Sequence, residues 1–130
     1  MTSQALQTMT VLPVRSIEEA TRWYEESLGF RTIYLHEGDE PGEATNYAML
    51  QRDQVTFSLI LDECPEYESP WTKAGTGYLY LIVSDIEQEY AEVQSRGVEI
   101  TRELQMENWG VQGFNLQDTS GNEIHVEQGT

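Results

Sequence analysis

The chain has 130 residues, enough for one domain and too few for two ordinary ones. Seven Lys and Arg stand against 23 Asp and Glu, a formal charge of −16 that excludes nucleic acid held by its phosphates and favours cationic partners. Hydrophobic residues make up 38% of the chain, which permits a core, yet no apolar run approaches the roughly 20 residues of a membrane span, so no membrane partner is expected.

Met1 to Thr8 is polar and lacks the apolar stretch of a signal peptide, so a cytoplasmic location is expected. The first apolar run, Thr10 to Val14, reads as a strand. Ser16 and Glu19 then stand at capping-box spacing, and Ile17, Ala20, Tyr24 and Leu28 fall on one face of a helix that Gly29 should stop. Phe30 to Leu35 reads as the next strand, and Glu37 to Ala44 as an acidic loop. Asn46 to Leu50 and Val55 to Leu61 read as a hairpin around a polar turn.

The pattern then repeats. A connector over 63–76 leads to a strand from Tyr78 to Val83, and Val83-Ser84-Asp85-Ile86-Glu87-Gln88 echoes Val14-Arg15-Ser16-Ile17-Glu18-Glu19. Ile86, Tyr90 and Val93 share the face of a second helix that should end at Gly97. Val98 to Thr101 reads as a strand, and Gly113 to Gln117 and Glu123 to Glu127 flank the turn 118–122. Each half is β-α-β-β-β, with module 1 over about 8–62 and module 2 over about 77–128 of a single domain. The expected class is α+β: two tandem β-α-β-β-β modules forming a curved mixed sheet around a cleft, with the helices on the outer face.

Side chains alternate across a strand, so each sheet face can be read separately. Phe57, Leu59 and Leu61 oppose Thr56, Ser58 and Ile60; Leu79, Leu81 and Val83 oppose Tyr78, Tyr80 and Ile82; Ile124 and Val126 oppose Glu123, His125 and Glu127. The first face of each is aliphatic and suits helix packing. The second is polar and aromatic and suits a ligand cleft. Cys64, the one cysteine, excludes an intrachain disulfide and has no base nearby in sequence, so it reads as a bystander.

The run from Val14-Arg15-Ser16-Ile17 through Trp23-Tyr24 to Leu28-Gly29-Phe30, then Tyr78 to Ile86, Trp109-Gly110, Phe114 and Asp118-Thr119-Ser120-Gly121-Asn122, resembles the vicinal oxygen chelate superfamily of glyoxalases, bleomycin resistance proteins and extradiol dioxygenases. Thr119 stands where that pattern usually has proline. The resemblance implies a divalent-metal site drawn from four strands. Its positions fall on Met9, Ser58, Tyr78 and His125, of which His125 alone is a competent ligand. No metal and no other cofactor are therefore expected. Glu103-Leu104-Gln105 and Trp109-Gly110 resemble the bleomycin-resistance branch, which implies a homodimer that sequesters a drug.

The expected ligand-binding residues are Tyr78, Tyr80, Trp109, His125, Ser58, Tyr47 and Met9, facing a small organic molecule, cationic or aromatic and plausible as an antibiotic. Glu123 and Glu127 are expected to add negative potential beside His125. Two alternatives remain open on the sequence: a lyase, isomerase or dioxygenase-type enzyme using His125, and a non-catalytic subunit or partner-binding module.

Overall fold

The computed structural model describes residues 3–38, 40–62 and 73–130. Cys64, Trp71 and most of the connector lie outside the described residues. The elements in chain order are β1 (Val11–Val14), α1 (Ile17–Leu28), β2 (Arg31–His36), β3 (Tyr47–Arg52), β4 (Val55–Leu61), β5 (Tyr78–Val83), α2 (Ile86–Ser95), β6 (Ile100–Met106), β7 (Gln112–Gln117) and β8 (Glu123–Gln128).

Both helices start where the sequence places them. The Ser16 hydroxyl accepts from the Glu19 amide, and the Asp85 carboxylate accepts from the Gln88 amide, each satisfying one orphan donor of its first turn. Gly29 closes α1 in the left-handed region at φ 74°, a conformation that costs any residue with a Cβ. The predicted face of α1 is buried at Ile17, Ala20, Tyr24 and Leu28. In α2, Ile86 and Val93 are buried and Tyr90 packs beside them, as expected; Glu89 is buried too, which no apolar periodicity signals.

The strands form two mixed four-stranded sheets, ordered β1-β4-β3-β2 and β5-β8-β7-β6. In each, the first strand runs parallel to the last, and the remaining pairs are antiparallel. Strand β6 differs from expectation: it runs to Met106 rather than ending at Thr101. Arg102, Glu103 and Gln105 hide the strand in the sequence, and two register irregularities against β7 blur its alternation further.

The aliphatic faces of both modules meet in one core. Leu12, Val14, Tyr24, Phe30, Leu50, Phe57 and Leu59 join Leu79, Leu81, Val93, Phe114, Leu116, Ile124 and Val126. Full burial of each large side chain contributes about 1.5–3 kcal/mol before chain entropy is set against it. Polar ties lock the modules together. The β7–β8 loop docks on the end of β1: Arg15 donates its amide to Ser120 Oγ (2.9 Å) and its guanidinium to the Thr119 carbonyl (2.5 Å), and Asn122 Nδ2 donates to the Pro13 carbonyl (2.7 Å). Buried Tyr24 donates its hydroxyl to Asp118 at 2.8 Å. On the opposite side Arg52, from the β3–β4 hairpin, grips Glu89 of α2 with both guanidinium nitrogens, at 2.6 and 2.9 Å.

Candidate functional site

Filling the core with one face of each sheet turns the other face outward. The register of the second sheet then decides what stands together there. Tyr80 lies opposite His125 on β8, and His125 lies opposite Asn115 on β7; Ile82 and Gly113 flank Glu127. Gly113 has to lack a side chain, because a Cβ there would come within 2.8 Å of the His125 ring. The imidazole therefore lies across a bare stretch of β7.

His125 is only 4% exposed, and both of its ring nitrogens face oxygens. Nδ1 is 2.8 Å from Asn115 Oδ1, and Nε2 is 3.1 Å from Glu127 Oε1. The Asn115 amide is oriented by its own donation to Glu123 Oε1 (2.9 Å), a carboxylate that can only accept; Gln117 Nε2 donates to the other oxygen at 3.2 Å. Neither His125 nitrogen is left for a ligand.

Glu127 is the meeting point of this group. Its Oε1 accepts the indole N–H of Trp109 at 2.7 Å as well as the contact from His125, and the Tyr80 phenol stands beside the same carboxylate. Burial pushes the Glu127 carboxyl up, but the bonds from Tyr80, His125 and Trp109 together outweigh it and hold the group below its usual range. The reciprocal effect appears at Tyr80, whose phenol is pushed up to about 12, first by its bond to Glu127 and then by burial and nearby charge. Beside them Arg102 of β6 clasps Glu107 with both guanidinium nitrogens, which holds the Glu107 carboxyl down as well.

Three aromatic side chains stand over this polar base. Tyr78 is 53% exposed, Tyr80 46% and Trp109 59%, with Ile82 and Met106 exposed alongside. The Tyr80 ring is centred 4.9 Å from the His125 ring, Trp109 lies 6.3 Å from it, and Tyr78 lies 6.5 Å from Tyr80. Trp109 sits in the turn between β6 and β7.

The remaining expected residues gather on the first sheet. Ser58 is fully buried; it donates to Met9 Sδ at 2.7 Å and lies 2.7 Å from the Tyr47 hydroxyl, which is thereby left as the donor. Tyr47 meets Tyr34 edge to face at 6.1 Å. The registers make Ser58 the counterpart of His125: each is last-strand residue to a parallel neighbour, Val11 or Tyr80, and to an antiparallel one, Met49 or Asn115. The side-chain hydrogen bonds of Met9, Ser58 and Tyr47 run to one another and those of His125 run to Asn115 and Glu127, so the expected residues stand in two separate groups. His36 lies opposite Tyr47 on the first sheet, away from His125.

Sequence reasoning named Glu127 only as a source of negative potential and missed Asn115, Arg102 and Glu107. Asn115 alternates outward from Phe114 and Leu116, so strand parity alone could have found it. Arg102 and Glu107 depended on recognising β6. A half-open cavity of about 480 Å³ lies elsewhere, between Arg52–Val55 and Leu81–Asp85 with Gln88, Glu89 and Glu92, and none of the expected site residues lines it.

The donors at the outward faces do not fit a divalent metal. Among the described residues no group of three His, Cys, Asp or Glu is placed to hold one, and the ligand positions the family resemblance implies at Met9, Ser58 and Tyr78 carry a thioether, a hydroxyl and a phenol.

A family profile described as the Glyoxalase/Bleomycin resistance protein/Dioxygenase superfamily matches residues 6–126. The chain belongs to this superfamily. Among solved structures, a member of the superfamily from Sphaerobacter thermophilus shares 23% identity at a TM-score of 0.76, covering 97% of this chain and 98% of that one. TnmS3, an antibiotic binding protein from Streptomyces sp. CB03234, shares 24% identity at a TM-score of 0.71, covering 98% and 100%. A bleomycin-binding protein complexed with bleomycin shares 19% identity at a TM-score of 0.71, covering 97% and 100%. At these identities the likeness is one of fold. No curated protein matches the sequence. No helix among the described residues is long and apolar enough to cross a membrane.

Proposed function

We propose that this superfamily member is a metal-free binding protein for a small aromatic molecule, an antibiotic being the class its structural neighbours suggest. One observation carries the reading: Tyr78, Tyr80 and Trp109 stand with roughly half their surface bare around a polar base whose hydrogen bonds are already made. Flat aromatic faces gain about 0.5–1.5 kcal/mol per stacked contact beyond the area they bury. Acid–base catalysis by His125 is disfavoured because both its nitrogens are engaged. A cationic ligand is less well supported than an aromatic one, since Glu127 and Glu107 are held by groups of the protein itself.

The protein works, in this reading, as a homodimer. Ile33, Tyr34 and Leu35 on β2 leave an exposed apolar stretch on the first sheet, and a second copy would cover it. A thermal-shift screen tests the binding claim. The purified protein is heated with and without chelator, against divalent metals and a panel of planar aromatic antibiotics. A drug that raises the melting point independently of chelator is the expected result. Stabilisation by a divalent metal, abolished by chelator, would overturn it.

A further inference from the structure

We infer that Glu127 is a positioning residue of this site, a clasp that fixes the plane of the Trp109 indole, rather than a charge that attracts a cation. The inference rests on the binding reading above. It starts from where Trp109 stands. The residue lies in the β6–β7 turn with 59% of its surface bare, and the backbone bonds that close this turn, Glu107 N to Val111 O and Gly110 N to Glu107 O, leave its side chain free to rotate. Its only side-chain hydrogen bond among the described residues is the one to Glu127 Oε1 at 2.7 Å. An exposed indole on a turn would ordinarily sample several rotamers, and each would present a different face to a ligand.

Glu127 is itself held from within the sheet. His125 Nε2 approaches the same oxygen from two residues back on β8, and Tyr80 reaches across from β5. The bare backbone at Gly113, opposite Glu127 on β7, leaves the room in which His125 and Glu127 lie side by side. His125 is oriented in turn by Asn115, and Asn115 by Glu123. The chain of bonds runs from the rigid interior of the sheet to one exposed ring. With Oε1 already taken by Trp109 and His125, the atom that meets the indole is poorly placed to take a ligand ammonium. The neighbouring acid, Glu107, is closed by Arg102 in the same way.

Charge recognition and positioning predict different behaviour for two substitutions. Glu127→Leu removes both charge and acceptor, whereas Glu127→Gln removes the charge and keeps a carbonyl that can accept from the indole. The probes are an uncharged acridone and a cationic aminoacridine of similar area, titrated into the full-length protein. The Trp109 indole N–H is followed by nitrogen–proton NMR and hydrogen exchange, which report the clasp without any ligand. In Glu127→Leu the indole N–H should lose its protection and acridone binding should weaken about tenfold, equivalent to 1.4 kcal/mol. Glu127→Gln should recover most of both. Trp109→Phe, which keeps a ring but loses the N–H with the β8 network untouched, should weaken binding as Glu127→Leu does, and covers the case in which the leucine variant fails to fold.

Equal loss in the Gln and Leu variants, or an aminoacridine bound far more tightly than acridone and released by salt, would show that the charge recognises the ligand and overturn the inference. Unchanged indole exchange in Glu127→Leu would overturn it as well. If neither probe binds the wild type while the indole responds as described, the binding reading fails, and with it the role of the clasp in ligand positioning.

Discussion

Trp109 and His125 converge on the Glu127 carboxylate with Tyr80 beside it, and the sign of their effect on pH dependence follows from which protonation state they favour. Burial opposes the charge, while Tyr80, His125 and Trp109 together favour it more strongly, so the folded protein holds this group below its ordinary value of 4.5. The stabilisation is complete above that value and is lost as pH falls through the depressed one. Acid titration followed by tryptophan fluorescence, with Trp109→Phe as the reference, should therefore leave the Trp109 signal steady through the ordinary glutamate range and change it only below. Tyr80 gives the opposite limb. Its phenol, pushed up to about 12, stays protonated beside Glu127 through the range where a free tyrosine ionises, and this contribution is lost as pH rises through the raised value. The pair Tyr24 and Asp118 belongs to the core instead. Tyr24→Phe keeps the ring, which packs edge to face on Trp23 and Phe57, but removes a donor from the Asp118 carboxylate. Urea unfolding should show a loss of about 1.5–3 kcal/mol, the range for hydrogen bonds to charged groups.

At the scale of elements, the two helix starts were legible because a cap is a local device: Ser16 and Asp85 each satisfy an amide three residues on, whatever the rest of the chain does. Ser16→Ala should cost about 1 kcal/mol in thermal or denaturant unfolding, and Asp85→Ala a similar amount. The strand faces were legible for a related reason, since parity along β4, β5 and β8 sorts core from surface without reference to any partner. Strand β6 was not fully legible, because bulged pairing against β7 and the charged residues Arg102 and Glu103 remove the alternation that parity relies on. The site was legible only as a set of side chains. Strand parity put Tyr78, Tyr80 and His125 on one face, but their union with Trp109, Glu127 and Asn115 comes from which strands are neighbours, and short-range patterns do not encode that order. The same limit explains why Met9, Ser58 and Tyr47 were grouped with His125: Ser58 and Tyr47 belong to the first sheet and His125 to the second, while Met9 meets Ser58 from just before β1.

At the scale of the whole molecule, Arg52 of the first module pairs with the buried Glu89 of the second. Glu89 is 4% exposed and depends on the guanidinium that reaches it from the other half. Arg52→Ala would leave that carboxylate buried without its counter-charge, at a cost of about 3 kcal/mol or more. Replacing both partners together, Arg52→Met with Glu89→Leu, should restore most of the stability, as measured by denaturant unfolding of the single and double variants.

The docking of the β7–β8 loop on the end of β1 joins residues that are far apart in the order of synthesis: Tyr24 and Asp118 are separated by 94 positions, and Asn122 and Pro13 by 109. On a ribosome the first module emerges long before the loop that completes it, so its Tyr24 hydroxyl and the end of β1 must wait in water or in a loose, reversible association. A nascent chain stalled before Asp118 should remain open to protease within module 1, and protection should arrive there only when the last hairpin is released.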